Sequence, residues 1–389
     1  MSLALINGRV LTDTGFETGR VVVLADGRIE AVLGHEQWQA ERARSGVQTA
    51  KQSVYDLKGQ RLVPGFIDTQ VNGGGGVLFN DDPSVASIAA IGRAHRRFGT
   101  TSFLPTLISD DLSAIAQAIA AVREAIDTGV PGVIGVHIEG PFISEARKGA
   151  HDPAKFRDLD AQGVALLSSL GVGRTLVTLA PEVTTAGTIR TLANAGVVIS
   201  AGHTNATFEE TRAALRSGVT GVTHLFNAMS PLASREPGSV GAALHDADCW
   251  CGLIVDGRHV HPAVLQIALR AKRPDRFMLV TDAMPSVGSD RDFFMLQGRR
   301  IEVRDGVCVD ENGVLSGSAI DMATAVRNSV ELLGVSLDQA ARMASTYPAE
   351  FLGLGHELGR IAPGYRASLV LLDEGLEVRE TWIDGRPAS

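Results

Sequence analysis

In the middle of this chain, hydrophobic residues arrive in short unbroken runs rather than in alternation with polar ones. Eight such runs, at 62–69, 101–107, 133–138, 175–180, 197–201, 219–225, 252–255 and 277–281, are each followed by a stretch with helical amphipathic spacing. Strands that are apolar throughout are buried on both faces, as in a parallel sheet, and eight β/α units in series favour a closed barrel over an open doubly wound sheet. The ends of the chain differ. Residues 1–57 read as short strands and turns, with Asp26-Gly27 as a hairpin turn between two apolar runs, and residues 359–373 and 378–386 have the same character. Neither end has enough strands to be stable alone. The predicted fold is α/β: a (β/α)8 TIM-type barrel over 58–357, with a small β-sandwich domain formed by both chain termini, 1–57 and 358–389.

Composition narrows the class without changing that picture. With 389 residues, 44% of them hydrophobic and 21% charged, the chain can bury a large core and is neither disordered nor a single small module. Its 36 basic against 44 acidic residues leave a net charge of −8. No segment has the basic clustering that nucleic acid or an anionic membrane would require. No apolar run is long enough to span a bilayer and the N-terminal stretch has no leader pattern, so a cytoplasmic protein is expected. The three cysteines, Cys249, Cys251 and Cys308, suit reduced and buried thiols.

The chemistry lies where the runs stop. In such a barrel, polar residues at the carboxyl ends of strands line the mouth. Here those ends read Asp68-Thr-Gln70-Val-Asn72, His137-Ile-Glu139, Pro181-Glu182, His203-Thr-Asn205, His224-Leu-Phe-Asn227, Asp256-Gly-Arg-His259 and Asp282. A single one would be an ordinary cap, but their recurrence around the ring points to a site. Glu139, His203 and His224 supply one carboxylate and two imidazoles, the donor set of a catalytic zinc with one position left open. Asp282 is placed to face that position. Motifs for serine hydrolysis, zincin proteolysis and nucleotide binding are absent. Gly73-Gly-Gly-Gly76 lacks the lysine of a phosphate loop and is read as a tight turn under the substrate.

Several stretches together resemble the N-acetylglucosamine-6-phosphate deacetylases of the amidohydrolase superfamily. They are Val63-Pro-Gly-Phe-Ile-Asp-Thr-Gln-Val-Asn72 with its glycines, His137-Ile-Glu-Gly-Pro-Phe142, Lys148-Gly-Ala-His151, Leu179-Ala-Pro-Glu182, Ser200-Ala-Gly-His-Thr-Asn-Ala206, Thr223-His-Leu-Phe-Asn-Ala-Met229, Arg235-Glu-Pro-Gly238, Gly252-Leu-Ile-Val-Asp-Gly-Arg-His259 and Val280-Thr-Asp-Ala283. The resemblance implies metal ligation by Glu139, His203 and His224, acid/base catalysis by Asp282, and polarisation of the acetyl carbonyl by His151. It also implies substrate-phosphate contacts from Asn227, Ala228 and Arg235, and a further contact from His259, supplied to the same or a neighbouring subunit of a homodimer. The implied partner is a small amino sugar phosphate. The implied cofactor is one divalent metal ion per subunit, zinc first, because Gln70 and Asn72 stand where many amidohydrolases have the H-x-H of a second metal and uncharged amides are poor zinc ligands.

Among the other histidines, His137 shares a strand face with Glu139 and is expected just behind the site. His35, His95, His245 and His356 are expected at the surface or at caps, and His261 as a wall residue or a helix-start contact. Residues 284–318 are expected to form the excursion that covers the mouth. Alternatives are the galactosamine isomer of the substrate, a ring-opening cyclic amidase, which would want H-x-H and a bridging lysine, and a non-catalytic sugar-phosphate-binding barrel.

Overall fold

The computed structural model describes residues 2–44, 52–304 and 306–388. At its centre is a parallel sheet of eight strands, each hydrogen-bonded to the next in chain order: Phe66–Val71, Thr100–Ile108, Gly135–Glu139, Arg174–Leu179, Val198–Ala201, Gly221–Val222, Trp250–Leu253 and Phe277–Leu279. A parallel bridge between Val71 and Ala283 draws the last strand against the first, with Asp282 N donating to the Gln70 carbonyl at 3.0 Å. The first three strands are buried at every position, which is why their sequences do not alternate.

Helices pack outside this ring. Leu112–Asp127 turns Ile115, Ala118, Ile119, Val122 and Ala125 inward at three- and four-residue spacing, leaving its other face to water. Phe208–Ser217 starts at a capping box in which Thr207 and Glu210 satisfy each other's backbone N–H groups.

The apolar run at 62–69 is two strands, not one. Arg61–Pro64 lies between Arg9–Thr12 and Leu369–Leu372 in a six-stranded sheet, and the barrel begins only at Phe66. The break falls at Gly65, where a Cβ would overlap the Thr101 side chain, directly after a proline that has no N–H to give. A second sheet joins Ser53–Asp56, Ser2–Ile6, Arg20–Ala25 and Arg28–Gly34. Between the two sheets lies a shared core with Leu5, Val22, Ile29, Leu62, Leu369 and Trp382. The small sandwich is thus built from both ends of the chain. Its Asp26-Gly27 turn has φ of 48° and 79°, the left-handed pair that a two-residue hairpin needs.

The N-terminal stretch also holds a helix that strand-and-turn reading does not anticipate, His35–Arg44. Only Trp38 in it is buried, so no apolar period announces it. The three cysteines are free and buried. Among the described residues no helix is long and apolar enough to cross a membrane.

Candidate active site and metal centre

Four polar side chains converge at the carboxyl end of the barrel. Glu139 ends the third strand, while His203, His224 and Asp282 stand just beyond the fifth, sixth and eighth. Glu139 Oε1 lies 3.3 Å from His203 Nε2 and 3.1 Å from His224 Nε2, and the two imidazole nitrogens are 3.1 Å apart. His203 Nδ1 donates to the Arg147 carbonyl at 2.9 Å. A carbonyl only accepts, so the lone pair of this ring sits on Nε2 and points at Glu139 and His224. One carboxylate and two imidazoles meeting in a buried place, one ring held by an outer carbonyl, are a donor set that fits a divalent cation such as zinc. His151 is close by: a nitrogen of its ring, a carboxylate oxygen of Glu139 and a nitrogen of the His203 ring lie within 4.8 Å of one another.

The backbone around this cluster is unusual. His203, His224, Phe226, Ala228 and Asp282 all have positive φ, between 34° and 79°. Left-handed non-glycine residues cost on the order of 1–3 kcal/mol each and persist where the surroundings overdetermine them. Their concentration at one end of the barrel marks the same place as the side-chain chemistry.

Asp282 is held by amides. Its Oδ1 accepts from Asn72 Nδ2 at 2.6 Å and from Gln70 Nε2 at 3.1 Å, and Gln70 Nε2 also reaches Glu139 Oε1 at 3.0 Å. Burial and the nearby Glu139 charge push the Asp282 carboxyl up to about 6, against the pull of His224, His259 and the Asn72 bond. Burial would also raise Glu139, but its bonds to His203 and His224 hold it well below the usual carboxylate range. Burial is the main cause holding His151 well below the usual imidazole range. Behind Asp282, Asp68 accepts from Thr281 Oγ1 at 2.5 Å and from Gln70 N and Thr281 N at 3.2 Å, bracing the first strand against the eighth.

These groups open into a cavity of about 270 Å³ whose lining includes Asn72, Glu139, His151, His203, His224, Asn227, Ala228, His259 and Asp282. Its outer wall comes from the segment after the last barrel strand, an antiparallel sheet of Phe293–Leu296, Arg299–Arg304, Val307–Val309 and Leu315–Ser318, through Leu296 and Val314 to Gly317. His259 lines the cavity of its own chain, its Nδ1 2.6 Å from Asp256 Oδ2. Arg235 is not among the lining residues and stands on an exposed loop.

The remaining histidines divide. His137 lies fully buried between Thr106 and Thr178 in the barrel interior. The His261 ring caps the helix Pro262–Ala271, accepting from Ala263 N. His95 corrects the expectation of a surface position: it is fully buried, with Nε2 2.8 Å from the Gly73 carbonyl. A Cβ at Gly74 would press on that ring, so the glycine run makes room for it. Sequence reading also missed Gln70 and Asn72 as partners of Asp282; the available signal was their two-residue spacing, which puts both on one face of a strand.

The sequence model of the amidohydrolase family matches residues 61–388. An N-acetylgalactosamine-6-phosphate deacetylase of Shewanella sp. (strain ANA-3) is 46% identical over 338 residues, 87% of this chain and 85% of that one. An N-acetylglucosamine-6-phosphate deacetylase of Haemophilus influenzae is 36% identical over 389 residues, 99% of each chain. The crystal structure of N-acetylglucosamine-6-phosphate deacetylase from Pasteurella multocida superposes with a TM-score of 0.93 at 36% identity, covering 100% of this chain and 99% of that one. The chain belongs to the amidohydrolase superfamily and, within it, to the N-acetylglucosamine-6-phosphate deacetylase family. Members of the superfamily depend on metal ions, in keeping with the Glu/His/His cluster.

Proposed function

We propose that this chain hydrolyses the acetamide of N-acetyl-D-glucosamine 6-phosphate, giving D-glucosamine 6-phosphate and acetate. The observation that carries the proposal is the convergence of Glu139, His203 and His224 with an amide-held Asp282 in one cavity. Glu139, His203 and His224 would hold one divalent ion, zinc by their donor types. When bound, such an ion acidifies a water and polarises a carbonyl.

Asp282 takes a proton from the attacking water as the new C–O bond forms. Asn72 and Gln70 occupy its Oδ1, leaving Oδ2 for that proton. The same carboxyl then returns the proton to the departing C2 amine as the C–N bond breaks. His151 donates to the carbonyl oxygen as it gains charge. Asn227, Ala228 and His259 bind the phosphate end of the sugar, whose binding energy aligns the acetamide. Arg235 is proposed as a further phosphate contact, brought in by movement of its loop or by a neighbouring subunit of a homodimer. The barrel, which begins at Phe66, is the catalytic unit, and the enzyme is proposed to work in the cytoplasm.

A second reading, the N-acetyl-D-galactosamine 6-phosphate isomer, is favoured by the relative at 46% identity. The two sugars differ only in the direction of one hydroxyl. Acetate release from each, measured side by side with zinc-loaded protein, separates the readings. Turnover of the gluco substrate with the higher kcat/KM is expected; a clear preference for the galacto isomer would install the second reading, and no turnover of either by metal-loaded protein would remove both.

A further inference from the structure

We infer that Ser109 is a positioning residue that fixes the His151 ring in the tautomer with its proton on Nε2, so that a hydrogen-bond donor faces the cavity. The inference rests on the proposed hydrolysis and adds a residue to it.

Ser109 directly follows the second barrel strand, Thr100–Ile108, and is fully buried. Its backbone N–H points at His151 Nδ1 at 3.3 Å, and its Oγ lies 2.7 Å from the same nitrogen. A backbone N–H can only donate. Nδ1 is therefore an acceptor, the Ser109 hydroxyl turns its own proton toward it, and the remaining proton of the neutral ring is left on Nε2.

His203 has the opposite setting. Its Nδ1 faces the Arg147 carbonyl, which can only accept, so its lone pair is on Nε2. The two rings lie with centroids 4.3 Å apart. Their Nδ1 partners assign them different tasks, one to hold a cation and the other to donate to a developing oxyanion. This separates His151 from the cation-binding trio although it lies within reach of Glu139 and His203. A ring protonated on Nε2 has no lone pair there to offer.

Ser109 is itself held on two sides. At Gly140, where φ is +81°, a Cβ would overlap the Ser109 hydroxyl, so that position is kept clear for it. The Ser109 carbonyl accepts from Gln297 Nε2 at 3.0 Å, which ties it to the sheet that walls the cavity.

The test uses full-length zinc-loaded protein labelled with 15N-histidine, with the His151 signals assigned by their loss in His151→Asn. Without substrate, His151 is expected to show an unprotonated Nδ1 and a protonated Nε2; the reverse tautomer would overturn the inference. In kinetics, Ser109→Ala should lose about 10- to 100-fold in kcat with little change in KM, as removal of a partner that orients a site residue typically does. Ser109→Thr, which keeps the hydroxyl, should recover most of that loss. A Ser109→Ala enzyme with wild-type kcat would also overturn the inference. The proposed hydrolysis is judged separately, by acetate release from the wild-type protein, because the tautomer is read with no substrate present.

Discussion

Asn72 Nδ2 donates to Asp282 Oδ1 at 2.6 Å, joining the end of the first barrel strand to the end of the last. A carboxylate bound this way has one oxygen fixed and its ionised form favoured. Burial and the charge of Glu139 work the other way and carry the carboxyl up to about 6. In the role proposed for it, the proton-accepting group is therefore half ionised near that pH, and kcat/KM should fall on the acid side of it. A bound cation favours the carboxylate and moves the acid limb down. Asn72→Ala removes a donor to the carboxylate and should move the limb to higher pH in the zinc-loaded enzyme. A pH profile of kcat/KM identical to wild type would remove Asn72 from this role.

Asp282→Asn keeps the shape of the side chain and deletes its proton chemistry. It should bind zinc stoichiometrically, leave KM little changed, and lower kcat by about 10²–10⁴-fold, the usual worth of a positioned acid/base. Near-normal turnover would show that another group carries the proton.

Arg235→Ala should leave zinc content and thermal stability unaltered, since the side chain is exposed. If the guanidinium meets the substrate phosphate, KM rises about tenfold or more, the scale of one charge-assisted bond, with Arg235→Lys in between. Steady-state kinetics at several enzyme concentrations also reveal whether the contact depends on association of two chains.

Asp68 gives a stability prediction of definite sign. Burial, only partly offset by the Thr281 and Gln70 bonds, pushes its carboxyl up to about 7. The folded protein thus binds this proton more tightly than the unfolded chain does. Its contribution is full below the ordinary carboxylate value, roughly pH 4, and is lost as pH rises through about 7. Asp68→Asn has no such proton to lose. The Tm of the variant relative to wild type should therefore rise between acid and neutral pH, as measured by calorimetry, and a constant offset would contradict the shift.

The barrel was legible because each of its strands is apolar enough to betray burial on both faces, and the polar residues closing those runs mark its mouth. Glu139, His203, His224 and Asp282 are brought together as their positions at strand ends suggested. What the sequence hid follows from contacts between distant segments. The break at Gly65 depends on the approach of Thr101, and the burial of His95 on a glycine run that begins 22 residues before it. The helix His35–Arg44 was invisible because a single tryptophan anchors it. The link of Ser109 to His151 crosses from one strand end to a separate loop, and no periodicity encodes such a pairing.

The strand Arg61–Pro64 sits between Arg9–Thr12 and Leu369–Leu372, and the bridge from Val71 to Ala283 closes the ring beside it. The pairing of Arg61–Pro64 with Leu369–Leu372 must wait until nearly all of the chain has been synthesised, and the Val71–Ala283 bridge until well past its middle; both carry a loop-closure cost before they repay it. Asp282 lies on the far side of the ring closure from Gln70 and Asn72, the amides that hold it. A chain cut short of Asp282 would therefore lack the group that Asn72 and Gln70 hold, so the proposed proton chemistry depends on segments from both halves of the barrel.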